Sequence, residues 1–283
     1  KPEENRMATL IQLMQNILSQ KDPLLPNETK RVILKEFLQA YTLDFLYNHP
    51  LYRKLNFYGG TCLHVIFGLN RLSEDIDLDN SNGIYLSNLE NDLLTFYRSN
   101  VGYADVTAKT QIGEWGVRRT TLKFPILYAL GLTSHVNEPL HLKVEVSQHK
   151  QISIIRKTPV LLFGRSFVAA HFSLETMMAG KMLACLERNF QKGEGAAIKG
   201  RDFYDLLWFM QQKIMPLEDK LANDGCQSYT VQSAMELLGE KIAEMKLSDL
   251  AEDLLPLFEQ RSFIEAWLEG FKENYREYVK SYM

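Results

Sequence analysis

Apolar residues recur at helical spacing from the start of the chain. Met7, Leu10, Ile11, Met14, Ile17 and Leu18 predict a first helix. Asp22-Pro23 and Pro26-Asn27 break it. Asn27 is placed to cap a second helix, whose broad apolar face is Val32, Ile33, Phe37, Leu38, Tyr41, Phe45 and Leu46, with Pro50 beyond its end. These two helices precede the chemistry and suit a lid, a brace or a partner-binding arm. The period then changes. Leu55 to Tyr58 reads as a short strand ending in Gly59-Gly60, and Thr61 to Phe67 as a short helix with Gly68 as its C-cap. Asp75 to Asp79 alternates acidic and aliphatic residues, a strand signal. Ser87 and Glu90 have capping-box spacing for a helix reaching about Ser99. Strand-like segments follow at 103–110, 118–124 and 140–147, with two shorter runs at 152–155 and 159–163.

From about residue 172 the pattern is almost wholly helical. Ser173 can cap a helix running to about Asn189, and Gly193, Glu194 and Gly195 open a flexible connection. Helices are expected at 201–211, 216–223, 231–245 and 248–259. Ser262 and Glu265 suggest a second capping box, opening a last helix with Phe263, Trp267, Leu268, Phe271, Tyr275 and Tyr278 on or near its buried side. This order predicts an α+β fold: a mixed sheet with helices, then a C-terminal helical bundle. The expected organisation is a helical segment over 1–50 packing on the core, a catalytic domain over 51–170, and a helical domain over 171–283 contributing to the nucleotide site.

Composition changes this picture little. At 283 residues, 46% hydrophobic and 24% charged, the chain has material for a substantial core, and no apolar run approaches the length of a membrane helix. The N-terminus has a helical pattern in place of a charged-then-apolar leader. Cys62, Cys185 and Cys226 are scattered, without a CxxC pair, which argues against a disulfide scaffold or structural zinc and fits a reducing cytoplasm. The net charge of −3 leaves a nucleic-acid partner dependent on a local basic patch.

The sharpest chemical signal is Ser73-Glu74-Asp75-Ile76-Asp77-Leu78-Asp79. Alternate strand residues share a face, so Asp75, Asp77 and Asp79 would project together while Ile76 and Leu78 enter a core. Like charges this close require a raised pKa or a cation between them. Magnesium suits the site, because it takes hard oxygen ligands from a few carboxylates plus substrate phosphates. A solvated edge strand is the competing reading. Just upstream, the glycines of Gly59-Gly60-Thr61 allow close backbone approach, and the first N–H groups of the following helix can bind a phosphate. A phosphate cradle followed by an Asp-x-Asp strand is what nucleotidyl transfer to a hydroxyl requires.

Gly59-Gly60-Thr61 followed by Arg71-x-Ser73-x-Asp75-Ile76-Asp77 resembles the signature of the AbiEii/AbiGii-type toxin nucleotidyltransferases, within the polymerase-β-like superfamily. The likeness extends in order to Lys143-Val144-Glu145-Val146, Ala179-Gly180-Lys181 and Lys199-Gly200-Arg201-Asp202-Phe203-Tyr204-Asp205. Tyr58 departs from the lysine often found before the glycines, and the segment between Lys181 and Arg201 is long, with Lys192 and Lys199 in it. The resemblance implies a polymerase-β-like core and a magnesium-dependent enzyme, with manganese as the possible substitute and an NTP as substrate. It implies Asp75, Asp77 and Glu145 as catalytic and metal-ligating carboxylates. It implies nucleotide contacts at Gly59, Gly60, Thr61, Arg71, Ser73, Lys181, Arg201, Asp202 and Asp205.

Each of the later residues also has a plainer reading. Glu145 can be a surface acid in an alternating strand, Lys181 a snorkelling helix lysine, and Arg201 and Asp205, four apart, a structural ion pair. Arg118, Arg119 and Lys123 read as an RNA-contacting strand or, more simply, as a solvated face. His64 reads as packed. The resemblance further implies a bacterial, cytoplasmic toxin or abortive-infection effector, with tRNA as acceptor and a cognate antitoxin protein as partner. A protein or small-molecule acceptor, or a nucleotide-binding module without turnover, are the rival readings.

Overall fold

The computed structural model describes residues 9–148, 150–188, 191–192, 195–196 and 199–283. Met7, expected in the first helix, and Asn189, Gly193 and Glu194, expected at and after the end of another, lie outside them. Among the described residues there are ten α-helices and nine strands, seven of which belong to a mixed sheet. The fold is α+β, with helices filling the C-terminal part. The chain divides into two compact units: Lys1–Leu55, Leu72–His149 and Pro159–Ala169 form the first, and Asn56–Arg71, Lys150–Thr158 and Ala170–Met283 the second.

In the first unit, α1 (Leu10–Ser19) opens on Thr9, which forms a reciprocal capping box with Gln12. Helix α2 (Asn27–Asn48) differs from expectation at its start: Pro26 holds the cap position, and Asn27 is the first helical residue. The fixed φ of proline, here −57°, leads the chain into the helix without a side-chain cap. Gln39, Thr42, Leu34, Ala40 and Leu43 are buried beside the predicted stripe, so α2 is enclosed on more than one face. It packs on β5 (Leu140–Ser147), which pairs with β4 (Arg118–Phe124) and β2 (Ile76–Asp79). The bounds of β4 and β5 are those the alternation predicts, whereas β3 (Thr107–Ile112) begins four residues late. The expected capping box at Ser87 and Glu90 does not form. Asn88 occupies the cap position of α4 (Leu89–Thr95), which widens into a π-type turn over Phe96–Asn100.

The two short strands expected at 152–155 and 159–163 are one strand, β6 (Ile155–Leu162), running through Pro159. It lies at the edge of the sheet, where a missing N–H costs no ladder bond. An unexpected strand, β7 (Arg165–Phe172), follows after Phe163-Gly164. Both turn residues have positive φ, 46° and 72°, as a tight two-residue hairpin demands.

In the second unit, β1 (Asn56–Tyr58) pairs in parallel with β7 through Phe57 and His171. Helix α3 (Gly59–Phe67) ends as predicted on Gly68 in the left-handed conformation. Helix α5 (Leu174–Glu187), capped by Ser173, packs against α6 (Gly200–Gln211), α7 (Glu218–Asn223) and α8 (Val231–Glu244). Gly200 is required: a Cβ there would meet the Leu250 carbonyl oxygen of α9 (Leu247–Leu254) at 2.7 Å. The last helix, α10 (Arg261–Tyr278), starts one residue before Ser262, so the capping box expected at Ser262 and Glu265 falls inside the helix and is not made. Cys62 and Cys185 are buried, as expected of core fillers, and Cys226 is exposed. No described helix is long and apolar enough to cross a membrane.

Candidate functional site

The carboxylates of the first unit owe their placement to strand register. Strands β2 and β5 run parallel, pairing Asp77 with Glu145. Ile76, Leu78, Val144 and Val146 are fully buried on one face, which leaves Asp77 and Glu145 together on the other. Strand β4 runs antiparallel to β5 and sets Arg119 opposite Glu145, where its Nε donates to Oε1 at 2.5 Å. Arg119 and Lys123 share this face, while Arg118, one residue out of step, lies on the other. The local pattern around Arg119 favours a solvated face. Its bond to Glu145 depends on a register that no local pattern encodes.

Asp75 precedes β2. Its carboxyl is pushed up from the ordinary aspartate value by burial, with Lys143 pulling it back, Glu74 raising it, Lys35 lowering it and Glu145 raising it. The Lys143 ammonium lies 3.9 Å from Asp75 Oδ1, and Lys35 Nζ donates to Glu74 Oε1 at 2.7 Å. Asp79 departs from the expected row. It is fully buried, and its Oδ2 accepts from Ser81 N–H at 3.1 Å, closing the turn that ends the strand. Ser73 offers its backbone carbonyl to Gln39 Nε2 at 2.9 Å.

Among the described residues, no three His, Cys, Asp or Glu side chains form a ready metal cage. The donor set nevertheless fits magnesium. Asp75, Asp77 and Glu145 are hard oxygen donors, and strand register sets Asp77 beside Glu145 on one face. Magnesium usually completes its shell with water and substrate phosphate, so a partial protein cage is the ordinary case.

The second unit holds a different constellation. Gly59 has φ of 80°, a conformation that favours glycine, and it begins α3 two residues earlier than the sequence suggested. Thr61 is buried in the first turn. His64 Nδ1 lies 2.7 Å from the Leu69 carbonyl oxygen, a structural contact. Arg71, only 2% exposed, forms a two-pronged bond with Asp205: Nε to Oδ1 and Nη2 to Oδ2, both 2.6 Å. Lys181 Nζ lies 2.7 Å from Asp202 Oδ1 and 2.9 Å from Asp205 Oδ2. Burial alone would lower the Lys181 ammonium, but Asp202 and Asp205 outweigh it and hold the charge.

Burial would likewise raise Asp202, yet Lys181, Arg188 and Lys199 hold its carboxyl well below the usual range. Arg188 was not singled out from the sequence, although it follows Lys181 by seven residues, close to one helix face. Arg201 and Asp205 were expected to share a helix face. Asp205 binds Arg71 and Lys181, while the Arg201 backbone N–H donates to Asp253 Oδ2 at 3.0 Å. Tyr204 donates its hydroxyl to Asn70 Oδ1 at 2.6 Å.

Residues 44–283 match the family model described as nucleotidyl transferase AbiEii toxin, type IV toxin–antitoxin system. No curated protein matches the chain. Among solved structures, the chain is similar to JHP933 from Helicobacter pylori, at 20% identity and a TM-score of 0.48, covering 88% of this chain and 92% of that one. It is also similar to an antigenic nucleotidyltransferase-like protein from Paracoccidioides brasiliensis, at 18% identity and a TM-score of 0.40, covering 86% of this chain and 100% of that one.

Proposed function

This chain belongs to the AbiEii nucleotidyltransferase toxin family of type IV toxin–antitoxin systems, and from that premise we propose its chemistry: magnesium-dependent transfer of a nucleoside monophosphate from an NTP to a tRNA hydroxyl. The acceptor oxygen attacks the α-phosphorus, the bond to the β-phosphate oxygen breaks, and pyrophosphate leaves. The observation that carries this reading is the pairing of Asp77 with Glu145 on parallel strands, beside an Asp75 whose carboxyl is raised. Asp75 and Asp77 would ligate the metal. Glu145 would complete the set and accept the proton that the attacking hydroxyl gives up. Magnesium, when bound, would neutralise the reacting phosphates, and manganese would replace it.

Gly59, Gly60 and Thr61 present backbone N–H groups to the triphosphate at the start of α3. Lys181 adds a fixed positive charge, because Asp202 and Asp205 hold it in one place. Arg71 acts through Asp205 as a positioning residue. Ser73 steadies the segment that leads into Asp75, and Arg201 steadies the start of α6. Membership of a toxin–antitoxin family implies a cognate antitoxin, and the proposed place of action is the bacterial cytoplasm.

The test uses purified protein, magnesium, total tRNA and each α-labelled NTP in turn, with Asp75→Ala/Asp77→Ala as control. Label in tRNA with the wild type alone is expected. Label on a protein or small molecule instead moves the acceptor class, and NTP binding without label anywhere sinks the proposal.

A further inference from the structure

The face of the first unit that carries Asp77 and Glu145 continues across three strands. Its pairing rows are Asp77–Glu145–Arg119–Gln111, then Lys143–Thr121–Lys109, then His141–Lys123–Thr107. Leu122, Phe124, Leu142, Val144 and Val146 fill the opposite face and are buried, so the register fixes which side these polar residues occupy. The acids stand at one end. Moving away from them, the face is cationic: Arg119, then Lys143 and Lys109, then Lys123 beside His141. Three rows spaced two residues apart span about 13 Å along the strands. Neither Lys109 nor Lys123 forms an ion pair among the described residues. Burial first, and then Lys123, Lys35 and Lys143, push the His141 imidazole down. In a chain with net charge −3, this is a concentration of one sign on one surface.

We propose that this sheet face, formed by β3, β4 and β5, is the track along which the acceptor RNA lays its phosphate backbone, leading its hydroxyl to Asp77 and Glu145. The inference rests on the RNA-acceptor reading above. Charge complementarity selects the occupant: a run of lysines and an arginine, with no apolar patch among them, fits a polyanion and reads no bases. Arg119 sits at the junction, bonded to Glu145 and first in the cationic series.

Lys109→Gln/Lys123→Gln tests the inference. Both residues lie outside the nucleotide and metal positions, Lys109 exposed and Lys123 half-buried, and neither belongs to the apolar core, so the fold is expected to survive. Lys246→Gln/Lys280→Gln, at two exposed positions of the second unit, supplies the same charge change elsewhere. Binding of labelled tRNA is measured by anisotropy over a salt series, together with KM for tRNA and for NTP. The expected result for the first variant is a loss of affinity of about tenfold or more. The slope of log affinity against log salt should become shallower by about 2, one unit per phosphate contact. KM for tRNA should rise with kcat and the NTP KM unchanged, and the control variant should match wild type. Wild type that labels tRNA, with the first variant indistinguishable from the control, overturns this inference alone. That is also the result if the face serves an acidic protein. Wild type that neither binds nor labels tRNA, yet labels another acceptor, overturns the acceptor reading and this inference with it.

Discussion

Two regions of the molecule use the same ingredients, carboxylates with lysine and arginine, in opposite ways. In the second unit the charges are closed off: the side chains of Arg71, Asp205 and Asp202 are 2%, 0% and 6% exposed, and nearly every oxygen faces a cation. In the first unit, Arg119 and Glu145 remain 47% and 23% exposed, and Lys143 stands 3.9 Å from Asp75. A buried pair holds its geometry because breaking it strands a charge in a poor solvent, while an exposed pair exchanges readily with water or ligand. The closed cluster therefore suits the task of fixing Lys181, and the open row suits groups that must trade partners during a reaction.

Substitutions in the two regions separate these behaviours. Asp205→Ala should have the largest effect on folding, about 3–5 kcal/mol in urea unfolding, because it leaves Arg71 buried without its two-pronged partner. A loss below about 1 kcal/mol would mean that Arg71 reaches water and the cluster is open after all. Asp77→Asn should leave the unfolding free energy within about 0.5 kcal/mol of wild type. The same change should cut nucleotide transfer roughly a thousandfold, about 4 kcal/mol of barrier. Equal losses of stability and activity would erase the contrast.

Acid titration gives a smaller and signed difference. Asp202 is held low, so its stabilisation is complete above the unfolded aspartate value of about 3.9 and is lost as pH falls through its depressed folded value. Asp75 is held high, so it favours folding at low pH and loses that contribution as pH rises from about 3.9 through its folded value. Urea midpoints measured from pH 6 to 3 should fall with acid, and Asp202→Asn should flatten that fall. Magnesium affinity, followed by calorimetry, should weaken as pH drops toward the Asp75 value. The smallest effect belongs to Arg119→Gln. Breaking a half-exposed pair should shift stability by less than about 1 kcal/mol, and a larger loss in thermal or urea unfolding would place Arg119 with the closed cluster.

What the sequence disclosed depended on whether the signal was local. Strands β4 and β5 alternate cleanly because one face of each is core, and Gly68 ends α3 because its backbone angle is one that glycine favours. Strand β7 escaped notice: its Ala169-Ala170-His171 segment has little strand propensity, and burial and pairing override that preference. The runs at 152–155 and 159–163 read as two short strands, whereas Pro159 lies inside a single edge strand that tolerates it. Ser87 and Ser262 have the capping spacing without the helix start, since a four-residue motif occurs by chance. The Asp-x-Asp strand stood out, whereas Asp79 turns inward at the strand end. The Arg71–Asp205 and Arg119–Glu145 bonds join residues far apart in the chain. The pattern near either residue leaves its partner open.

The parallel pairing of β2 with β5 also sets an order of events during synthesis. A parallel pair cannot close through a hairpin; the chain between must first cross over, and here it contributes α4, β3 and β4 on the way. A chain emerging from the ribosome displays Asp75 and Asp77 long before the strand that carries Glu145 exists. Nascent or prematurely terminated product ending before residue 140 therefore carries Asp75 and Asp77 without the strand that sets Glu145 beside Asp77.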